Sequence, residues 1–201
     1  TLVDADRDLI AARPGLVAQK YAAMAEGPQP FLRGTAGLFY RDVGRYRGPQ
    51  SAVAHGDGGE AVQLYGDPHL ENIGAVVDDA GMLLDGVDFD ASIAGPFAWD
   101  VRRAALGLRT ALSLGAFDDA ALDTAVHALA LSYGNTLSSV SSAAPAGPDR
   151  PTGAIVREGT PAGGRIVQDL LADGRKRAQS REELTEYTQQ IDGARWLQRN
   201  D

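Results

Sequence analysis

The first 46 residues follow a helical pattern of apolar and polar positions, in two blocks separated at Gly27-Pro28. In the second block, apolar side chains recur at steps of three and four residues, at Leu32, Ala36, Phe39 and Val43. This spacing predicts that they share one face of a single helix.

Shorter patterns follow in the middle of the chain. A strand is expected over residues 61–65, and a hairpin over residues 73–77 and 82–84 with its turn between them. Two helices are then predicted, from Pro96 to Leu114 and from Asp118 to about Val140. Proline at residue 96 fits because the first turn of a helix tolerates it.

Beyond residue 138 the pattern weakens. Residues 138–151 are rich in Ser, Ala, Gly and Pro and predict a flexible loop, and short helices are expected over Ile166–Leu171 and Glu182–Ile191. The fold class is therefore α+β, mostly helical with a small β-hairpin region. We interpret the chain as one lobe, with N-terminal helices over 1–46, a loop and hairpin over 60–95, core helices over 96–140, and a loop with short helices over 141–201.

Composition narrows the class of protein. With 44% hydrophobic residues the chain can build a core, and its net charge of −8 argues against a nucleic-acid partner, which requires a basic surface. No apolar run approaches the roughly 20 residues that span a bilayer, and the N-terminus lacks a signal-peptide pattern. We therefore expect no membrane partner and a cytoplasmic location. Since residue 1 is Thr, we also expect a longer parent protein.

The candidate chemistry lies between residues 66 and 90. Asp67 and Asn72 are separated by four residues, and Asp88 follows the predicted hairpin. In protein kinases this spacing joins the Asp that accepts the substrate hydroxyl's proton to an Asn that binds Mg²⁺, with a second metal-binding Asp further on. The pattern predicts Asp67 as base and Asn72 and Asp88 as magnesium ligands that one hairpin brings to one cleft.

Neighbouring residues have supporting assignments. His69 is interpreted as part of the catalytic group, holding the loop through a bond to a backbone carbonyl or to Asp88. Asp90 either assists a second metal ion or bonds the following turn. Asp100 is expected to cap the helix that follows and to brace the catalytic loop.

These residues carry a resemblance to a known superfamily. The run Gly66-Asp67-Pro68-His69-Leu70-Glu71-Asn72 resembles the catalytic loop of the aminoglycoside phosphotransferase-like branch of the protein kinase superfamily, with Tyr65 at the usual position of its first His. Together with residues 30–34, 88–90 and 95–100, the run is more similar still to an uncharacterised kinase-like "domain of unknown function" family. The resemblance is strong over residues 28–115 and weak elsewhere.

The resemblance implies a kinase-like catalytic lobe that uses ATP and Mg²⁺ as cofactors and phosphorylates a small-molecule hydroxyl. It also makes Arg33, in the run Pro30-Phe31-Leu32-Arg33-Gly34, a candidate phosphate contact. A phosphate-gripping Lys on a strand and a glycine-rich loop are not found, because the chain's two lysines, Lys20 and Lys176, lie outside strand patterns. In the resembling family these strands follow the catalytic half in permuted order. The segment is then expected to be inactive alone and to contact a missing nucleotide-binding lobe.

Two alternatives remain open. The chain could be a kinase-like binding module or pseudoenzyme without catalysis. It could also be a metal-dependent phosphohydrolase that uses Asp67, His69, Asp88 and Asp90 as ligands. Asp67 and Asn72 taken singly would be interpreted as turn residues, and their joint occurrence with Gly66, His69 and Asp88 favours a phosphoryl-transfer site.

Overall fold

A computed structural model describes residues 1–46, 61–115, 117–142, 155–159, 164–180, 188–191 and 194–197. The chain divides into two compact units, one formed by residues 1–73 and 86–149 and the other by residues 74–85 and 150–201. The glycine-rich run His55–Gly59 and most of the predicted loop at 138–151 lie outside the described residues.

The first unit begins with five short helices rather than two long blocks. They are α1 (Leu2–Ala5), α2 (Arg7–Ala12), α3 (Pro14–Met24), α4 (Pro28–Gly34) and α5 (Ala36–Arg45). Proline at the starts of α3 and α4 suits helical first turns, and the chain breaks at Gly27 as predicted.

The prediction that one helix carries the apolar face across residues 32–43 is wrong, because the helix breaks at Thr35. The Thr35 hydroxyl donates to the carbonyl oxygens of Phe31 and Leu32 at 2.8 and 3.0 Å, and such local bonds compete with helix continuation. Leu32 therefore belongs to α4, while Phe39 and Val43 belong to α5.

Two longer helices also belong to this unit. The helix α6 (Ala98–Ser113) packs against α7 (Asp119–Ser142), close to the predicted bounds, although α7 extends into the first residues of the predicted loop. Trp99 packs against the ring of Tyr40. Phe97 is half exposed and stacks on the ring of Tyr133.

A short sheet holds the candidate loop. The strand β1 (Val62–Gln63) pairs antiparallel with β4 (Ala94–Gly95), and it is shorter than the predicted strand over 61–65. At the loop's entry Gly66 has a φ of 99°, and a Cβ there would lie 1.9 Å from the carbonyl oxygen of Ala91. Only glycine fits this close approach.

The predicted hairpin is confirmed. Its strands are β2 (Ile73–Asp78) and β3 (Gly81–Gly86), joined by a two-residue turn. Most of the hairpin belongs to the second unit, where Arg157 pairs with Asp78 at 2.7 Å and bridges to Leu83. A single 3-10 turn, Leu70–Asn72, precedes β2.

In the residues described for the rest of the second unit, one helix and a small hairpin are found. The predicted helix over residues 166–171 is part of α8 (Gly164–Ser180), which also contains Arg175, Lys176 and Arg177. The helix predicted for 182–191 is wrong at its described end, because β5 (Thr188–Ile191) pairs antiparallel with β6 (Ala194–Leu197). The alternation of polar and apolar residues spans too few positions there to distinguish a strand from a helix.

The molecule is α+β, mostly helical with small sheets, as expected. Within the described ranges, none of the helices combines the length and apolar character that crossing a bilayer requires. The interpretation of the chain as one kinase-like lobe stays a prediction.

We expect Gly66→Ala to lower the free energy of unfolding by about 3 kcal/mol or more, because it adds a backbone clash to the strain of a positive φ. Gly37→Ala is the control in the same unit, since nothing lies within 4 Å of a Cβ at this helical position. It should be neutral or stabilising by up to about 1 kcal/mol. Urea unfolding of both variants tests this, and equal midpoints would contradict the close approach at Gly66.

Candidate active site

The predicted site residues share one cleft of about 520 Å³ in the first unit. Its lining includes every residue assigned from the sequence, namely Arg33, Asp67, His69, Asn72, Asp88 and Asp90. Lys20 and Met24 of α3 line the same cleft. The spacing of the motif therefore identified residues that the fold brings together, and it missed the contribution of α3.

Asp67 is buried and held by an arginine. The Nε of Arg103 donates to Asp67 Oδ1 at 2.8 Å, and Arg103 is itself only 1% exposed. A second guanidinium nitrogen of Arg103 donates to the carbonyl oxygen of Leu32 at the end of α4. Since two buried, bonded charges fix each other's geometry, Arg103 positions the candidate base.

His69 lies against the other oxygen of the same carboxylate. Its Nε2 is 3.5 Å from Asp67 Oδ2, which is longer than an ordinary hydrogen bond. The ring is 2% exposed, and its Nδ1 has no hydrogen-bond partner among the described residues. Burial lowers the pKa of His69 below its usual range, although the Asp67 charge opposes this. The ring is therefore neutral near pH 7, and its expected bond to Asp88 or a backbone carbonyl is replaced by the contact with Asp67.

Asn72 is oriented by its neighbours. Its side-chain Nδ2 donates to the carbonyl oxygen of Asp67 at 3.1 Å, so the amide oxygen points away from that bond. Its backbone carbonyl accepts bonds from the Tyr65 hydroxyl at 2.6 Å and from the Val87 N–H at 3.0 Å. The carbonyl thus ties the end of the loop to the chain that leaves the hairpin.

Asp88 is linked to Asn72 through Tyr65. The Asp88 N–H donates to the Tyr65 hydroxyl oxygen at 3.0 Å, and that hydroxyl donates to Asn72. Asp88 is exposed, and its Oδ1 accepts the N–H of Asp90 at 3.3 Å. The backbone of Asp90 therefore takes part in a turn, while its side chain lines the cleft.

Asp100 braces the start of the loop. Its two carboxylate oxygens accept the N–H groups of Tyr65 at 2.6 Å and Gly66 at 3.2 Å, and also the Tyr40 hydroxyl at 2.8 Å. Burial, reinforced by the bond to Asp100, raises the pKa of Tyr40 well above its usual range. The expected helix cap is corrected, because Asp100 lies in the first turn of α6 and the residue at the cap position, Phe97, makes no capping bond through its side chain.

Two basic residues, Arg33 and Lys20, also line the cleft. Arg33 is exposed and pairs with Glu71 at 2.7 Å, on the 3-10 turn beside Asn72. Lys20 pairs with both oxygens of Asp6 at 2.8 and 2.9 Å. The sequence pattern assigns neither Lys20 nor Arg103 to the site, and no local signal separates Arg103 from Arg102.

Comparison with known proteins identifies the family of this chain, and the description of that family names no activity. The model of a family described as "Uncharacterized protein conserved in bacteria (DUF2252)" matches residues 12–201, and the chain belongs to this family. Neither the curated proteins nor the solved structures contain a match. The expected membership in an uncharacterised family is confirmed, and its kinase-like character stays a prediction.

The burial of His69 predicts a pH dependence of stability. Its pKa is lower in the folded chain than the value of 6.5 for an unperturbed His, so the unfolded chain takes up the proton first as pH falls. The contribution of the neutral ring to the free energy of unfolding is fully present above about pH 6.5. Below that pH it decreases, by up to about 1.4 kcal/mol per pH unit. We expect His69→Gln to reduce this slope between pH 7 and 5 in urea unfolding. His127→Gln controls for loss of a histidine, and an unchanged slope in His69→Gln would contradict the assignment.

Loss of the Asp100 carboxylate should destabilise the loop. Asp100→Ala leaves three donors without their acceptor, so we expect a loss of about 2 to 4 kcal/mol in the free energy of unfolding. Asp119→Ala is the matched control, because Asp119 also lies in the first turn of a helix but is 89% exposed and pairs with the partly exposed Arg109. Its cost should stay within about 0.5 kcal/mol. Similar losses in thermal melting would show that Asp100 does not brace the loop.

Proposed function

We propose that this member of the uncharacterised bacterial family is a kinase-like, Mg-ATP-dependent phosphotransferase that acts on a small-molecule hydroxyl. The observation that carries the proposal is the meeting of Asp67, Asn72 and Asp88 in one cleft, although they come from the two sides of a hairpin. Tyr65 joins the last two through its hydroxyl. The cleft therefore combines a buried carboxylate with two oxygen donors, as phosphoryl transfer requires.

The donor set supports magnesium as the metal. The amide oxygen of Asn72 points away from its bond to Asp67, and the exposed Asp88 carboxylate has one oxygen outside its turn bond. These are hard oxygen ligands, and Mg²⁺ binds through one or two of them together with substrate phosphates. When bound, the metal would neutralise charge on the phosphoryl oxygens. Asp90 is the candidate for a second metal contact.

Asp67 would act as the base. The substrate hydroxyl oxygen would form a bond to the γ-phosphorus while the bond from that phosphorus to the ADP oxygen breaks, and the hydroxyl proton would pass to Asp67. Arg103 holds Oδ1, so Oδ2 is the oxygen that would accept the proton. Neutral His69 lies beside Oδ2 and would keep that oxygen oriented.

A binding module without catalysis is the second candidate, and one observation favours it. Both oxygens of Asp67 already have protein neighbours, Arg103 and His69, so the carboxylate could serve structure alone. The phosphohydrolase alternative has less support. In the part of the chain that the structure describes, no three His, Asp or Glu side chains form a metal-binding group, so its ligand set of Asp67, His69, Asp88 and Asp90 is not assembled there.

The test is Asp67→Asn in the protein as its gene encodes it. ADP release from Mg-ATP would be measured across a panel of hydroxyl-bearing small molecules. Loss of a general base should lower kcat by about 100-fold or more. Since Arg103 would lose its charged partner, we also expect a lower melting temperature.

A stability control separates these two effects. Leu122 is buried in α7 and does not line the cleft, so Leu122→Ala should cost about 2 to 5 kcal/mol without touching the site. All proteins would be assayed at a temperature where circular dichroism shows them folded. Leu122→Ala should then keep its turnover. Full turnover in Asp67→Asn would remove the proposed mechanism, and nucleotide binding without turnover in the unsubstituted protein would favour the binding module.

A further inference from the structure

The cleft is lined by both acidic and basic side chains. Asp67, Asp88 and Asp90 belong to the loop and the chain after the hairpin, whereas Lys20 and Arg33 belong to α3 and α4. A ligand that carries several negative charges would meet both cations, and a bound metal ion would screen it from the carboxylates. A chain of phosphates carries such a set of negative charges.

Lys20 is the more fixed of the two cations. Its side chain is 30% exposed and its partner Asp6 only 12%, with both carboxylate oxygens within 2.9 Å of Nζ. An ammonium group has three N–H donors, and two of them are used by Asp6. The third can donate to a ligand, and the ion pair has already restricted the flexible side chain.

Arg33 differs in its surroundings. It is 55% exposed, and its partner Glu71 is 52% exposed, so this pair lies at the rim and is screened by solvent. A charge-assisted bond to a phosphate oxygen is stronger where water is excluded. The partly buried cation should therefore contribute more to binding than the rim cation.

We propose that Lys20 supplies the main cationic contact to the phosphate chain of a metal-bound di- or triphosphate in this cleft. The inference rests on the phosphoryl-transfer function proposed above for the class of ligand. It gives α3 a direct part in binding.

The chain offers a matched control, because it contains one other lysine. Lys176 lies on α8 in the second unit and also pairs with an aspartate, Asp173, at 2.9 Å. Mg-tripolyphosphate and Mg-ATP would be titrated into the protein and followed by phosphorus NMR, which detects millimolar affinities. We expect Lys20→Met to weaken binding of both probes by about tenfold or more, and Lys176→Met and the charge-retaining Lys20→Arg to stay within about threefold.

A purely structural ion pair makes a different prediction. Asp6→Asn breaks the same pair as Lys20→Met but keeps the cation. If Lys20 only anchors helices, both variants would melt lower and bind the probes alike. If Lys20 binds phosphate, Asp6→Asn should retain most of the affinity that Lys20→Met loses.

The outcomes separate this inference from the proposed function. Weaker tripolyphosphate binding in Lys20→Met, without any Asp67-dependent turnover, would support the phosphate contact and remove the transferase. Turnover that depends on Asp67, with binding that is equal in Lys20→Met and Lys176→Met, would support the transferase and overturn the Lys20 contact. If neither probe binds at concentrations up to about 10 mM, the Lys20 contact is overturned as well. A dissociation constant of that size corresponds to a binding free energy of about 3 kcal/mol in magnitude.

Discussion

The buried ion pair between Arg103 and Asp67 is the interaction on which the candidate site depends. The guanidinium joins the end of α4, through the Leu32 carbonyl, to the carboxylate of the loop, and it also lies 5.3 Å from the centre of the Phe39 ring on α5. Removing one partner of such a pair leaves a buried charge uncompensated, at a cost of about 3 to 5 kcal/mol. Three separate segments are thus fixed around Asp67 by one side chain.

The same helix positions the rest of the loop. Asp100, Arg103 and Gly107 lie three and four residues apart, so they share one face of α6. Asp100 binds the backbone of Tyr65 and Gly66, Arg103 binds Asp67, and a Cβ at residue 107 would lie 3.2 Å from the Cβ of His69. Successive positions along the helix therefore contact successive residues of the loop. A loop held in this way keeps its side chains in place before any ligand arrives, which reduces the entropy cost of binding.

This arrangement also explains which contacts of the candidate site the sequence predicts and which it does not. Asp67, Asn72 and Asp88 are close in sequence, and the strand patterns at residues 73–77 and 82–84 predict the hairpin between them, so their meeting followed from local patterns. Arg103 lies 36 positions from Asp67, and its contact depends on how α6 packs against the loop. The neighbouring Arg102 has the same side chain and differs from Arg103 in lying on a different face of the helix. Lys20 was missed for the same reason, because its cleft forms only when α3 and α4 pack together.

Tyr65 links the candidate loop to the chain that leaves the hairpin. Its hydroxyl reaches both the Asn72 carbonyl and the Asp88 N–H. The ring needs space, and a Cβ at Gly86 would lie 2.2 Å from the Tyr65 ring. Phe89 packs edge-on against the ring at 4.7 Å and holds it in place. The residues that end the hairpin are therefore matched to Tyr65, so the two candidate metal ligands are linked by one rigid side chain instead of by the loop alone.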